Sequence, residues 1–147
     1  MSDVGPPTDD ARTWALMSIK PRYAEQIMAG TKTVELRRRP LPATVEHVAV
    51  YASAPTKKVV GTFRVVRQRL MEPDAAWQTY EQVAGIAPSA FNAYFAGVRQ
   101  ACVIELSHAR RLACPMDLAD VQPGLRPPVS WRYLAEATIS DLPIHQP

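Results

Sequence analysis

Lys32, Glu35 and Arg37 combine an amine, a carboxylate and a guanidinium within six residues of a 147-residue chain. They lie in the stretch Gly30-Thr31-Lys32-Thr33-Val34-Glu35-Leu36-Arg37-Arg38-Arg39. Gly30 reads as a helix stop, because glycine tolerates the left-handed conformation at a helix C-terminus and Ala24 to Met28 before it read as helical. A strand is therefore predicted to begin near Lys32. Its period of two sends Lys32, Val34 and Leu36 to one face and Thr33, Glu35 and Arg37 to the other. The apolar pair Val34 and Leu36 claims the core, which leaves Glu35 and Arg37 displayed together, with Lys32 at the strand's entrance. Lys32 is then either a phosphate-binding point charge or, if partly desolvated, a base or nucleophile of lowered pKa. Glu35 has two readings. It pairs with Arg37, Lys20 or Lys32 as a structural ion pair, or it accepts hydrogen bonds from a base edge while Lys20, Lys32, Arg37 and Ser53 hold phosphate or sugar. Arg38 and Arg39 form the outer electrostatic lip of such a site, or a solvated face.

The flanking segments must bring these groups together. Trp14 to Ile19 reads as a first strand. Pro21 suits the first turn of a helix, where its missing N–H is no loss, and Tyr23, Ile27 and Met28 give that helix an apolar stripe. This short helix returns Lys32 to the end of the sheet that carries Lys20. Pro40 to Ala43 form a stiff loop beside the cleft. His47 to Tyr51 is a second β-rich run, Ala54-Pro55-Thr56 turns it, and Lys57 and Lys58 sit on that turn. In the long strand from Val59 to about Arg69 the alternation changes phase after Val65, the mark of a bulge of the kind that curves barrels. Two helices are predicted next, one capped by Asp74 and ended by Gly85, the other running from Pro88 to Gly97. Their aromatic stripes read as core packing, and neither helix is assigned to the site. Ala101 to Leu106 is a strand that Arg110 to Leu112 extend, and Trp131 to Leu134 read as a turn of helix over the barrel. Residues 1–12 and 139–147 read as loose tails around one domain spanning 13–138.

Hydrophobic residues make up 47% and charged residues 21% of the chain, which suits a globular domain. No apolar run approaches the roughly 20 residues of a membrane span. Asp3, Asp9 and Asp10 stand where a secretory signal needs positive charge, so a cytoplasmic protein is expected. Cys102 and Cys114 read as buried free thiols. The three histidines share no ligand spacing with them, and neither a metal nor a cofactor is expected. Through Arg69, Lys and Arg outnumber Asp and Glu two to one, and from Leu70 the balance reverses. A basic half suits an anionic partner, because Lys and Arg release counterions when they neutralise phosphates.

Ser18-Ile19-Lys20-Pro21, Tyr23-Ala24 and the Gly-x-Lys-Thr-x-Glu-x-Arg run, followed by Tyr51-Ala52-Ser53, Val60-Gly61-Thr62-Phe63 and Pro127-Pro128, resemble the ASCH domain of the PUA-like superfamily. These landmarks span roughly Trp14 to Leu134. The resemblance implies an α+β fold, a small PUA-like, partly open β-barrel with flanking helices and a cleft, and work on RNA or nucleotides. In the small N4-acetylcytidine amidohydrolases of the superfamily the lysine matching Lys32 is catalytic, with a threonine that falls at Glu35 and a carboxylate that falls near Val83, Ala84 and Gly85. Other members cleave RNA with a lysine matching Lys32 and a tyrosine that falls near Gln26, a turn from Tyr23.

The expected function is therefore binding of RNA or a nucleotide-like ligand in a basic cleft, with Lys32 and Glu35 at its centre. Lys20, Tyr23, Arg37, Arg38, Arg39, Ser53, Lys57 and Lys58 surround them. A metal-independent ribonuclease or nucleoside amidohydrolase using Lys32 is the first alternative, since a lysine can stabilise phosphorane charge and a carboxylate can take a 2′-hydroxyl proton. A protein-interaction or coactivator module is the second, and it predicts an exposed apolar patch.

Overall fold

The computed structural model describes residues 12–135 and Leu142. The expected tails at 1–12 and 139–147 thus lie outside the described residues, apart from Arg12 and Leu142. Leu142 is buried with Leu16, Leu112 and Leu134, so it is packed rather than loose.

Six strands form one sheet: β1 (Trp14–Ile19), β2 (Val34–Arg37), β3 (His47–Ala52), β4 (Lys58–Met71), β5 (Ala101–Met116) and β6 (Trp131–Leu134). Their spatial order is β2-β5-β4-β3-β1-β6. Only β1 and β3 pair in parallel. Around the sheet lie α1 (Pro21–Ala29), α2 (Pro73–Tyr80), α3 (Pro88–Tyr94) and α4 (Leu118–Val121). This is the expected α+β, partly open barrel, with β2 and β6 as its unpaired edges. No helix among the described residues is long and apolar enough to cross a membrane.

Curvature comes from the two longest strands. The β4–β5 ladder slips register between Val59 and Gly61, between Thr62 and Arg64, and between Val65 and Arg67. The last slip is the phase change read from the sequence, and each one bends the sheet. Both faces of β1 are buried: Ala15, Met17 and Ile19 pack inward with α1, Val48, Val50 and Phe63, whereas Leu16 packs outward with Ala49, Tyr51 and Leu134. A third cluster joins Val34, Leu36, Ala101 and Val103 to Ala76, Ala84, Phe91 and Phe95, which seats the α2–α3 pair on the outside of β2 and β5.

Three local readings change. Trp131 to Leu134 form edge strand β6, antiparallel to β1 with Trp131 opposite Met17 and Leu134 opposite Trp14. Four residues do not distinguish a helical turn from a strand by period, and here burial of Leu134 and the free edge of β1 decide. Asp74 is not a cap, because Pro73 takes the first helical position and Asp74 lies in the first turn behind Glu72. Cys102 is buried as expected, with its thiol pushed up to about 11 by desolvation, but Cys114 is exposed.

Helix α1 lies so close to β4 that a Cβ built on Gly61 meets Met28 Sδ at 2.3 Å and the Arg110 carbonyl oxygen at 2.5 Å. Met28 can swing away, whereas the β5 backbone cannot. Gly61→Ala is expected to destabilise the fold by about 1–3 kcal/mol, the usual cost of overpacking. Urea unfolding checks this as a lower midpoint at unchanged slope.

Candidate functional site

Strand β2 divides its side chains as its period requires. Val34 and Leu36 face the α2–α3 layer, and Glu35 and Arg37 face the mouth of the barrel. That second face is not open to solvent, since Glu35 is only 6% exposed. Arg37 explains how a carboxylate is tolerated there. Its Nε and Nη2 both donate to Glu35 Oε2, at 2.9 and 2.8 Å, in a charge-assisted pair. Nη2 also donates to the Ser18 carbonyl at 2.8 Å, and Nη1 to Ser130 Oγ at 3.1 Å. Ser18 lies in β1 and Ser130 directly precedes β6. One guanidinium therefore ties edge strand β2 to the opposite edge of the open sheet. Ser18 reinforces that edge by donating its N–H to the Ser130 carbonyl and its hydroxyl to the Pro128 carbonyl.

Lys32 is delivered from the end of α1. Its N–H donates to the Gln26 carbonyl at 3.1 Å, and the N–H of Thr33 donates to the Val83 carbonyl at 3.0 Å. Those bonds delay β2 to Val34, two residues past the expected start at Lys32, and turn the lysine inward. Only 3% of Lys32 is exposed. Its Nζ donates to the Ala84 carbonyl, lies 3.8 Å from Glu35 Oε1 and sits 5.1 Å from the centre of the Tyr23 ring. Desolvation holds its pKa below the ordinary lysine value, Arg37 adds repulsion, and Glu35 partly restores it. The loop past α2 presses on the lysine: a Cβ on Gly85 would stand 3.3 Å from Lys32 Cβ and 2.2 Å from Gln26 Oε1. The place that the amidohydrolase comparison gives to a carboxylate is thus filled by a backbone carbonyl.

These groups line a cleft of about 630 Å³. Lys20, Tyr23, Lys32, Glu35, Arg37, Ser53 and Lys57 all face it. Four cationic side chains meet one carboxylate, and that carboxylate is already bound to Arg37. Lys20 and Lys57 are exposed on the walls and have no ion-pair partner among the described residues.

Three expected contributors stand elsewhere. Lys58 opens β4 with Nζ 2.6 Å from Asp117 Oδ1 and does not line the cleft. Arg38 and Arg39 line a neighbouring hollow. In the other direction, the helical region set aside in the sequence reading does form part of the cleft, through Ala90 and Tyr94 of α3 and through Ile86 in the loop before it. Trp77, Phe91 and Phe95 are core packing, with ring centres 4.8–4.9 Å apart along the series. Tyr94 shares their helical spacing, so period alone did not separate it from them. Among the described residues no three His, Cys, Asp or Glu side chains gather to hold a metal.

The family profile for the ASCH domain matches residues 17–116. The chain is 31% identical over 126 residues to the ASCH domain-containing ribonuclease of Zymomonas mobilis, with 84% of this chain and 85% of that protein covered. The crystal structure of ASCH from Zymomonas mobilis superposes with a TM-score of 0.81 at 28% identity, over 89% of this chain and 96% of that one. The N-terminal domain of Staphylothermus marinus McrB shares the fold at a TM-score of 0.56 and 9% identity, over 87% of this chain and 91% of that one.

The neighbours of Lys32 give opposed expectations for its titration. Glu35→Gln removes the charge that holds the proton on Lys32, so titration of the amine moves to lower pH. Arg37→Gln removes a repelling charge and frees Glu35, so titration moves to higher pH. A ¹³Cε chemical-shift titration of the lysines in the two variants reads both directions.

Proposed function

The chain belongs to the ASCH domain family, and on that footing we propose that it binds single-stranded RNA in the cleft around Lys20, Lys32, Glu35 and Arg37. The observation that carries this reading is the charge of the cleft: with Glu35, the one carboxylate among the described lining residues, paired to Arg37, the amines of Lys20, Lys32 and Lys57 still face about 630 Å³. A phosphodiester supplies the missing negative charge. Tyr23 and Tyr94 offer ring surface, and Ser53 offers a hydroxyl for the sugar.

A second reading, cleavage of the bound strand, is favoured by Lys32 itself. Desolvation raises the fraction of neutral amine at working pH, and the Ala84 carbonyl accepts an N–H in either protonation state, which leaves the lone pair for substrate. The amine takes the proton of a 2′-hydroxyl and the 2′-oxygen attacks phosphorus. The 5′-oxygen leaves with a proton from solvent, giving a 2′,3′-cyclic phosphate and a 5′-hydroxyl end. Glu35 is less free for the same task, because Oε2 is held by Arg37. The 31% identical relative from Zymomonas mobilis is a ribonuclease by name.

Binding of a labelled single-stranded RNA is expected to weaken with salt, by roughly 0.7 in the log–log slope for each phosphate contact. Absence of binding at low salt would overturn the RNA reading. Lys32→Arg keeps the charge and is expected to retain binding, yet to lose about 10²-fold or more of any cleavage in EDTA, because a guanidinium does not deprotonate. Lys32→Ala is expected to lose both. If the wild-type protein leaves RNA intact in EDTA over hours, cleavage is excluded and binding remains. Turnover of an acylated cytidine nucleoside in the same assay would point to the amidohydrolase alternative.

A further inference from the structure

Beside the cleft lies a second hollow of about 490 Å³, lined by Arg37, Arg38, Arg39, Met17, Leu41 and Trp131 among others, and by no carboxylate among the described residues. Arg37, Tyr94 and Val129 line both hollows. Pro127 and Pro128 edge the first, Ser130 and Trp131 edge the second, and fully exposed Val129 stands between them. The two hollows therefore share one rim, formed by residues 127–131.

The three consecutive arginines are not equivalent in this setting. Arg37 is engaged by Glu35, Ser18 and Ser130. Arg38 donates Nε to the Tyr94 carbonyl at 2.9 Å and stacks 4.2 Å from the centre of that ring, which pins α3 to the end of β2. Arg39 is exposed and has no ion-pair partner among the described residues. An uncommitted guanidinium beside a partly buried indole, in a hollow that no carboxylate among the described residues lines, suits a phosphate followed by a base.

We propose that this second hollow is a flanking-nucleotide subsite, in which Arg39 neutralises a backbone phosphate and Trp131 stacks the adjoining base of a strand that runs over Val129 from the main cleft. The proposal rests on the RNA reading of that cleft. It makes the ligand an oligonucleotide long enough to fill both hollows, and it excludes a free nucleoside as the full ligand. The two contacts are separable, because phosphate neutralisation is salt-dependent and stacking is largely not.

The test compares a fluorescent trinucleotide with a single-stranded nonamer, in fluorescence anisotropy across a salt series. Wild-type protein is expected to bind the nonamer more tightly. Arg39→Ala should lower nonamer affinity and reduce its salt slope by roughly 0.7, with trinucleotide affinity unchanged. Trp131→Leu should weaken the nonamer by about tenfold or more, Trp131→Phe should restore most of it, and neither should change the slope. Circular dichroism of each variant verifies the sheet. Equal binding of trinucleotide and nonamer by wild-type protein, or variants that weaken both ligands alike, would overturn the subsite and leave the cleft reading intact. Failure of wild-type protein to bind either ligand would overturn both.

Discussion

The Arg37 guanidinium is the bond across the gap in an otherwise open barrel. A six-stranded sheet in the order β2-β5-β4-β3-β1-β6 leaves two edges with unpaired backbone groups. Closing it by a ladder would fill the cleft, and leaving it open would expose the edges. Arg37 provides a third arrangement. It reaches from β2 to Ser18 of β1 and to Ser130 before β6, and its remaining donors hold Glu35. The carboxylate is needed because a guanidinium leaving water must be compensated, and the two N–H bonds converging on Glu35 Oε2 supply both charge and geometry. Spanning the gap with a side chain leaves room for a ligand between the edges.

That clamp sets the conditions for Lys32. Glu35 Oε2 belongs to Arg37 and Oε1 faces the lysine at 3.8 Å, so Lys32 receives a partial counter-charge. Its other supports are a carbonyl and an aromatic face, from Ala84 and Tyr23. Such surroundings stabilise an ammonium less than water does, which is why its pKa falls. The energetic sign follows. The unfolded chain holds this proton up to a lysine pKa of about 10.4, higher than the folded value, so Lys32 works against folding at neutral pH and the penalty fades as pH rises toward that value. The cost is placed where the lysine faces the cleft, beside Glu35 and Tyr23.

Much of this architecture was legible along the chain because the relevant signals are local. Alternation in β2 separated Val34 and Leu36 from Glu35 and Arg37, Gly30 marked the end of α1, and the phase change after Val65 located a bulge. Asp74 was displaced as a cap by its neighbour Pro73, whereas the misreadings that bear on the site share a physical cause, dependence on a partner distant in sequence. Trp131 to Leu134 became a strand because β1 had a free edge, and Lys58 left the site because Asp117 lies beside it. Tyr94 joined the site because Arg38 holds its ring and carbonyl. The closest contact of Lys32, the Ala84 carbonyl, carries no side-chain signature and was invisible to any reading of residue types. The clamp from Arg37 to Ser130 joins positions 93 residues apart.

The basic half of the chain shows why a charge count overstates a binding surface. Within it Arg67 is engaged by Glu105 and Lys58 by Asp117, while Arg111 of the other half takes up Glu25, and these pairs hold β4 to β5, β4 to the start of α4 and β5 to α1. Arg37 and Arg38 are spent on the barrel gap and on α3. What an anionic ligand meets is the remainder. Lys20 and Lys57 stand on the cleft walls and Arg39 in the adjoining hollow, all exposed and without an ion-pair partner among the described residues. The committed cations shape the surface and the uncommitted ones are available to bind, so on the RNA reading proposed above a phosphate path is sought where partners are missing rather than where arginines are densest.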